Sequence, residues 1–191
     1  MNKMILAVVL GAAVSTPAFA QDGGPRDGLR IEARATYETP TVSSVIEEDD
    51  VFKIGSAFAF GGELGYDVAV SNAVTVGPYV QYEVSGVESC DGEFCLSGED
   101  YIEGGLSVGY AVGTSGAIYG KLGYGEFTLE ATDGVDSVSE SGGGVAFALG
   151  YEQGFGENFF GRVEGGYADV GELFGLNVQR RHFGVTLGAR F

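Results

Sequence analysis

The sequence predicts an all-β fold, an eight-stranded antiparallel up-and-down β-barrel. Three observations predict it. Apolar and polar residues alternate in eight successive segments, as in "HFGVTLGARF" at residues 182–191, and period two is the mark of a strand with one apolar face. The composition, 34 Gly, 13 Phe and 10 Tyr against 2 Met and 4 Pro, is an inventory of strands and turns. The connections alternate short and long, and an even strand count puts both ends of a closed ring on one side.

Residues 1–20, "MNKMILAVVLGAAVSTPAFA", begin with Lys3, continue as an apolar core from Met4 to Val14 and finish on Ala18-Phe19-Ala20. This is the pattern of a secretory signal peptide cleaved before Gln21. The apolar run is too short for a membrane-spanning helix, which needs about 20 residues, and Pro17 closes it. A short linker, residues 21–27, leads to a barrel domain over residues 28–191.

The first segment sets Leu29, Ile31, Ala33, Ala35 and Tyr37 against Arg30, Glu32, Arg34 and Thr36. The second sets Phe52, Ile54, Phe58, Phe60, Leu64 and Tyr66 against Lys53, Gly55, Ala57, Gly61 and Glu63, and the third sets Val74, Val76, Val80, Tyr82 and Val84 against Thr75, Gly77, Tyr79, Gln81 and Glu83. In the fourth, Ile102, Leu106, Val108, Tyr110 and Val112 oppose Tyr101, Glu103, Ser107 and Gly109. The fifth opposes Ile118, Leu122 and Tyr124 to Tyr119, Lys121 and Gly123, after which Phe127 and Leu129 change parity, so a bulge is expected near Gly125. In the sixth, Val145, Phe147, Leu149 and Tyr151 oppose Gly144, Ala146, Ala148, Gly150 and Glu152. The seventh has Phe159, Val163 and Tyr167 against Arg162, Glu164, Gly166 and Ala168, and the eighth runs to Phe191.

The apolar face of such a barrel points either inward, as in a soluble lipocalin-like cup, or outward into lipid. Charge decides between them. The polar face carries the cations Arg30, Arg34, Lys53, Lys121, Arg162, Arg180 and Arg190 against Glu32, Glu63, Glu83, Glu103, Glu152 and Glu164, while the whole chain has a formal net charge of −17. A balanced face on so acidic a chain is what a narrow lumen requires, because buried charges are tolerable only when paired and hydrogen-bonded. The expectation is therefore a transmembrane barrel whose lumen holds a crosswise Arg–Glu network. Gly and Ala of the sixth segment make room for the long side chains. The absence of Trp also departs from the Gly-x-Trp motif usual in the first strand of lipocalins.

Two cysteines, Cys90 and Cys95, lie in "VESCDGEFCLSGED". Outside the cytoplasm such a close pair most simply forms a local disulfide. A metal site would need further soft ligands, and the sole histidine, His182, is distant in sequence. The long connections at residues 38–51, 86–100, 130–141 and 169–179 hold 16 of the 27 acidic residues and no Arg or Lys. They read as a solvated anionic rim. Divalent-cation binding by "EEDD" is the sharper alternative, but the segment lacks the glycine and spacing of an EF-hand loop. The overall charge excludes nucleic acid as a partner.

Through these features, residues 28–191 resemble the small outer-membrane β-barrel family of OmpA transmembrane domains, OmpX and opacity-type porin proteins. The resemblance implies residence in the outer membrane of a Gram-negative bacterium after export. It also implies that the final strand, through Gly184, Val185, Leu187 and Phe191, is the signal read by the barrel-assembly machinery. Tyr66, Tyr82, Tyr110, Tyr124, Tyr151, Phe159 and Tyr167 would form the aromatic girdles. A monomer without cofactors is expected, embedded in outer-membrane lipid and offering its loops to an extracellular partner. The leading expectation is a non-enzymatic surface barrel that contributes to outer-membrane structure. A narrow pore is the alternative, which a charge-filled lumen opposes. A lipid-modifying enzyme would need a histidine beside a serine and a carboxylate at the rim, and no His-x-Ser-Asn pattern surrounds His182.

Overall fold

The computed structural model describes residues 26–43 and 51–191. The expected signal peptide, most of the linker and the "EEDD" segment lie outside the described residues. Ten β elements follow in order: β1 (Gly28–Ser43), β2 (Val51–Lys53), β3 (Ala57–Ala69), β4 (Val74–Val84), β5 (Glu88–Asp91), β6 (Phe94–Val112), β7 (Gly116–Thr132), β8 (Ser137–Phe155), β9 (Phe159–Leu173) and β10 (Leu176–Arg190). Eight of them form an antiparallel ring in the order β1-β3-β4-β6-β7-β8-β9-β10, closed by β10 on β1. β2 extends the sheet beside β1, and β5 pairs with β6.

Closure runs from Arg30 opposite Arg190 to Ser43 opposite Asn177. The last residue completes it: Phe191 N–H donates to the Leu29 carbonyl at 2.9 Å and Leu29 N–H to the Phe191 carbonyl at 3.0 Å. Every backbone polar group at membrane depth needs an internal partner, and a ring without edges supplies one. Ile31, Phe60, Leu64, Val80, Leu106, Leu122, Leu149, Val163, Val185 and Leu187 all point outward and are exposed. The 11 residues of β4 match a tilted crossing, which takes about 9–11. Tyr66, Tyr110, Tyr151 and Phe159 lie toward the short turns, and Tyr37, Tyr82 and Tyr124 toward the far end. These are the two interfacial belts.

The two ends differ in kind. Three tight turns close one end, at residues 70–73, 113–115 and 156–158, with Gly113 and Gly156 at φ 66° and 69°. At the other end, three of the four spans expected to be long loops are mostly strand; of the fourth, residues 38–51, residues 44–50 lie outside the described residues. Residues 86–100 form the β5–β6 hairpin, residues 130–141 turn only at 133–136, and residues 169–179 turn at Phe174–Gly175. The chain continues its pairing there because these hairpins bury apolar residues of their own.

That apolar burial also removes the bulge expected near Gly125. The β7–β8 register is unbroken from Gly116 to Thr132, and Tyr119, Lys121, Gly125, Phe127 and Leu129 all face inward. The side of the strand never changes; the lumen does, from charged to apolar. Ile54, Val87, Tyr101, Phe127, Leu129, Ala146, Ala168, Val170, Leu173 and Val178 form one buried cluster inside the upper barrel. At the same height the outer surface turns polar, with Glu126 following Tyr124 on β7 and Arg181 following Phe183 toward the top of β10. The register irregularities fall instead on β6, at Gly98–Tyr101, and between β9 and β10 at Val178–Gln179.

Candidate functional site: the lumen and its outer mouth

Alternation places the polar positions of all eight ring strands on one axis. Near the turn end, Glu152 of β8 receives Arg26 at 2.7 Å, Arg162 of β9 at 2.7 Å and Arg190 of β10 at 2.9 Å. Arg190 also reaches Asp67 at 3.0 Å, and Asp67 pairs with Arg30. At mid-height Glu63 is a hub, with Arg30 at 2.9 Å, Arg34 at 3.0 Å and Lys121 at 2.9 Å. Glu32 joins Arg30 to Arg162, and Glu164 crosses the lumen to Arg34 at 2.9 Å and Lys121 at 3.3 Å. Higher up, Arg180 holds Glu38 and Glu83, and Arg34 reaches Glu83 at 3.1 Å. One connected ionic network thus runs from the turn end to the base of the apolar cluster.

Aromatic residues line this network. The Arg162 guanidinium lies 4.4 Å from the Tyr119 ring centre, Lys121 Nζ 4.4 Å from Tyr79 and Arg180 4.0 Å from Tyr101. Glycines admit the bulk. A Cβ at Gly65 would come within 2.6 Å of the Arg30 guanidinium, and one at Gly150 within 2.4 Å of the Tyr119 ring. The space left at the turn end is a cavity of about 30 Å³ between Arg26, Asp67, Glu152 and Arg190. That volume suits a water molecule or two and no solute.

The structure places Arg30, Glu32, Arg34, Glu63, Glu83, Lys121, Glu152, Arg162, Glu164, Arg180 and Arg190 in this network. Glu103 is also buried, but it accepts from Tyr79 and Tyr101 hydroxyls and from Gln81 and makes no ion pair among the described residues. Lys53 corrects the reading. It is exposed, because Ile54–Ser56 leave the strand between β2 and β3, so the alternation of β3 does not carry back and Ile54 turns inward instead. Glu38, read from sequence as part of the acidic rim, is fully buried. β1 extends to Ser43, so Glu38 keeps the lumen parity of Arg30 and Arg34 and accepts from Arg180 and the Ser85 hydroxyl. Asp67 and Arg26 were not anticipated, although Asp67 follows Glu63 at even spacing and was legible by extending that alternation.

His182 lies beside Glu164, Nε2 to Oε1 3.4 Å, and its other ring nitrogen has no partner among the described residues. Among the described residues no serine hydroxyl hydrogen-bonds it, and its one polar partner is the Glu164 carboxylate. Cys90 and Cys95 are cross-strand partners in the β5–β6 hairpin and form a disulfide. Their sulfurs are thereby withdrawn from the metal reading, and Glu88 is the remaining ligand group beside them. At the outer end, Glu88, Asp91, Glu93, Glu99, Asp133, Asp136, Glu140 and Glu172 are exposed.

A closed ring of eight strands, apolar outside and ionic inside, is the architecture of a membrane-spanning barrel, and the sequence matches the outer membrane protein beta-barrel domain along residues 4–191. The chain belongs to that family. No curated protein sequence matches it. Solved structures share the fold of this outer-membrane barrel at low identity. Neisserial surface protein A is 13% identical with a TM-score of 0.65, over 86% of this chain and 97% of the other. Ail, the attachment invasion locus protein of Yersinia pestis, in complex with the heparin analogue sucrose octasulfate, is 17% identical with a TM-score of 0.54, over 84% and 99%. OprG from Pseudomonas aeruginosa is 14% identical with a TM-score of 0.51, over 90% and 99%. Membership fixes the setting: the barrel sits in an outer membrane, with its short turns toward the periplasm and its hairpins outside.

Proposed function

We propose that this barrel is a non-enzymatic structural protein of the outer membrane that displays acidic hairpins to the outside, where they meet an extracellular partner or surface. The filled lumen carries this reading: among the described residues the ionic network, with the apolar cluster above it, occupies the bore that a solute would have to cross. Strands β5 to β10 carry the display, since each hairpin rises on paired backbone rather than as a free loop. Among the described residues, those that a lipid-modifying enzyme would need are not gathered around His182. Ail binds a sulfated heparin analogue in its complex, but the outer hairpins here carry no Arg or Lys over residues 86–100, 130–141 and 169–179. A polyanion is therefore not the expected partner, and a cationic surface is.

Planar-bilayer recording tests the central point. The protein is expected to add no steps above the bilayer leak in dilute or concentrated salt. Sustained, voltage-independent steps would replace this reading with the narrow pore. Adhesion is tested by comparing cells that express the intact barrel with cells expressing one whose exposed hairpin carboxylates are changed to amides. Attachment to a polylysine-coated surface would fall in the latter.

A further inference from the structure

Above the buried floor of Leu129, Leu173 and Val178, the lumen widens again into a cavity of about 510 Å³. Its wall is almost wholly apolar, and Phe94, Val138, Phe174 and Leu176 stand exposed around it. The charged side chains that line it are Asp133 and Asp136, both in the β7–β8 turn. Asp133 is fixed there, accepting the backbone N–H groups of Val135 at 3.1 Å and Asp136 at 2.8 Å.

We propose that this outer mouth binds a small organic cation with an apolar body, the body filling the cavity and the cationic head resting at Asp133 and Asp136. Size is the first argument, since sites for drug-sized molecules run about 300–1,000 Å³ and are mostly apolar with few polar groups. A gap in packing is far smaller than this, and an apolar wall that faces water or nothing forgoes its contacts. An occupant restores them. Charge is the second argument. The lining offers carboxylates and no cation, and the neighbouring hairpin tips are acidic, so a fatty acid would be repelled where an ammonium is attracted. Position is the third, because the wall is built from lumen-facing residues of the hairpins above the lipid belt, which places the mouth toward the outside medium.

The test uses the protein in lipid nanodiscs, with decyltrimethylammonium, decanol and decanoate titrated calorimetrically against protein-containing and empty discs. Decyltrimethylammonium is expected to bind saturably at one site per barrel, with decanoate about tenfold weaker. Asp136→Asn, on an exposed turn, should weaken the ammonium about threefold and leave decanol unchanged. Ala131→Trp should abolish binding of both by filling the cavity. Each variant is first shown to fold by its heat-dependent gel mobility. Equal isotherms with empty discs, or equal affinity for decanoate, would overturn the proposal. So would binding that appears only after residues 44–50 are replaced by glycine and serine, which would make the chain's own segment the occupant, or a dimer whose formation excludes the probe.

Discussion

At the scale of single residues, the carboxylates are where the fold is most exposed to failure. Glu63 is buried among Arg30, Arg34 and Lys121. Removing one partner of a buried ionic group leaves the others uncompensated, at about 3–5 kcal/mol. Glu63→Gln keeps the volume and discards the charge, so it should lower the unfolding free energy of the refolded barrel in urea titration by that amount, whereas Glu93→Gln at an exposed tip should change it little. Asp133 gives a second prediction. The backbone N–H groups of Asp136 and Val135 hold its carboxyl below the usual aspartate range. A carboxyl depressed in the folded state stabilises its turn above the unfolded pKa, and the contribution fades as pH falls through the folded one. In carboxyl-resolved NMR titration Asp133 should therefore titrate below the usual aspartate range, and the turn should loosen only in acid. Asp133→Asn should remove that acid dependence.

Among whole elements, the outer halves of β6 to β10 behave as ordinary soluble hairpins packed on a core. Phe127 is fully buried in it, 6.4 Å from the Tyr101 ring. Phe127→Ala should cost about 3–5 kcal/mol, and the cost should be local. Hydrogen exchange should speed up in the outer hairpins while amides at lipid depth keep their protection. A uniform loss of protection would show that the two halves unfold as one unit. This division is also where the sequence was hardest to interpret. Alternation gave the facing of β4, β8 and β10 almost residue for residue, because one face had to meet lipid. At Phe127 and Leu129 the same alternation continued with the opposite meaning, since apolar residues there face inward. A period shows which residues share a side, and polarity shows which side only when the solvent is known. Ile54 and Lys53 were misplaced for another reason, the break in the strand at Ile54–Ser56, and Glu38 because β1 runs on to Ser43.

For the whole molecule, the lipid belt sets the energetics. Leu122 points outward in the middle of the crossing and is 63% exposed. Leu122→Arg should destabilise the membrane-inserted state by about 2–4 kcal/mol, and the same change at Val84, nearer the outer interface, by about 0–1. Equilibrium refolding into vesicles measures both. The overall design was legible in the sequence because the signs of charge on one face nearly cancel on a strongly acidic chain. The particular pairings were not: the strands were visible, but which Arg meets which Glu depends on stagger around the ring, and alternation along one strand contains no stagger. The apolar outer mouth escaped for a related reason, since its wall is collected from β1, β6, β7, β8, β9 and β10 and no single stretch announces it.

The inversion of polarity between the two halves has a consequence for how such a protein changes over generations. Below the outer interface nearly every position is constrained twice, by lipid on one side and by the ionic network on the other. Above it, the hairpins stand on a foundation that tolerates any tip compatible with a paired stem. The tips can drift in length and charge without disturbing the wall that anchors them, so the molecule works as a fixed socket into which successive outer surfaces are fitted.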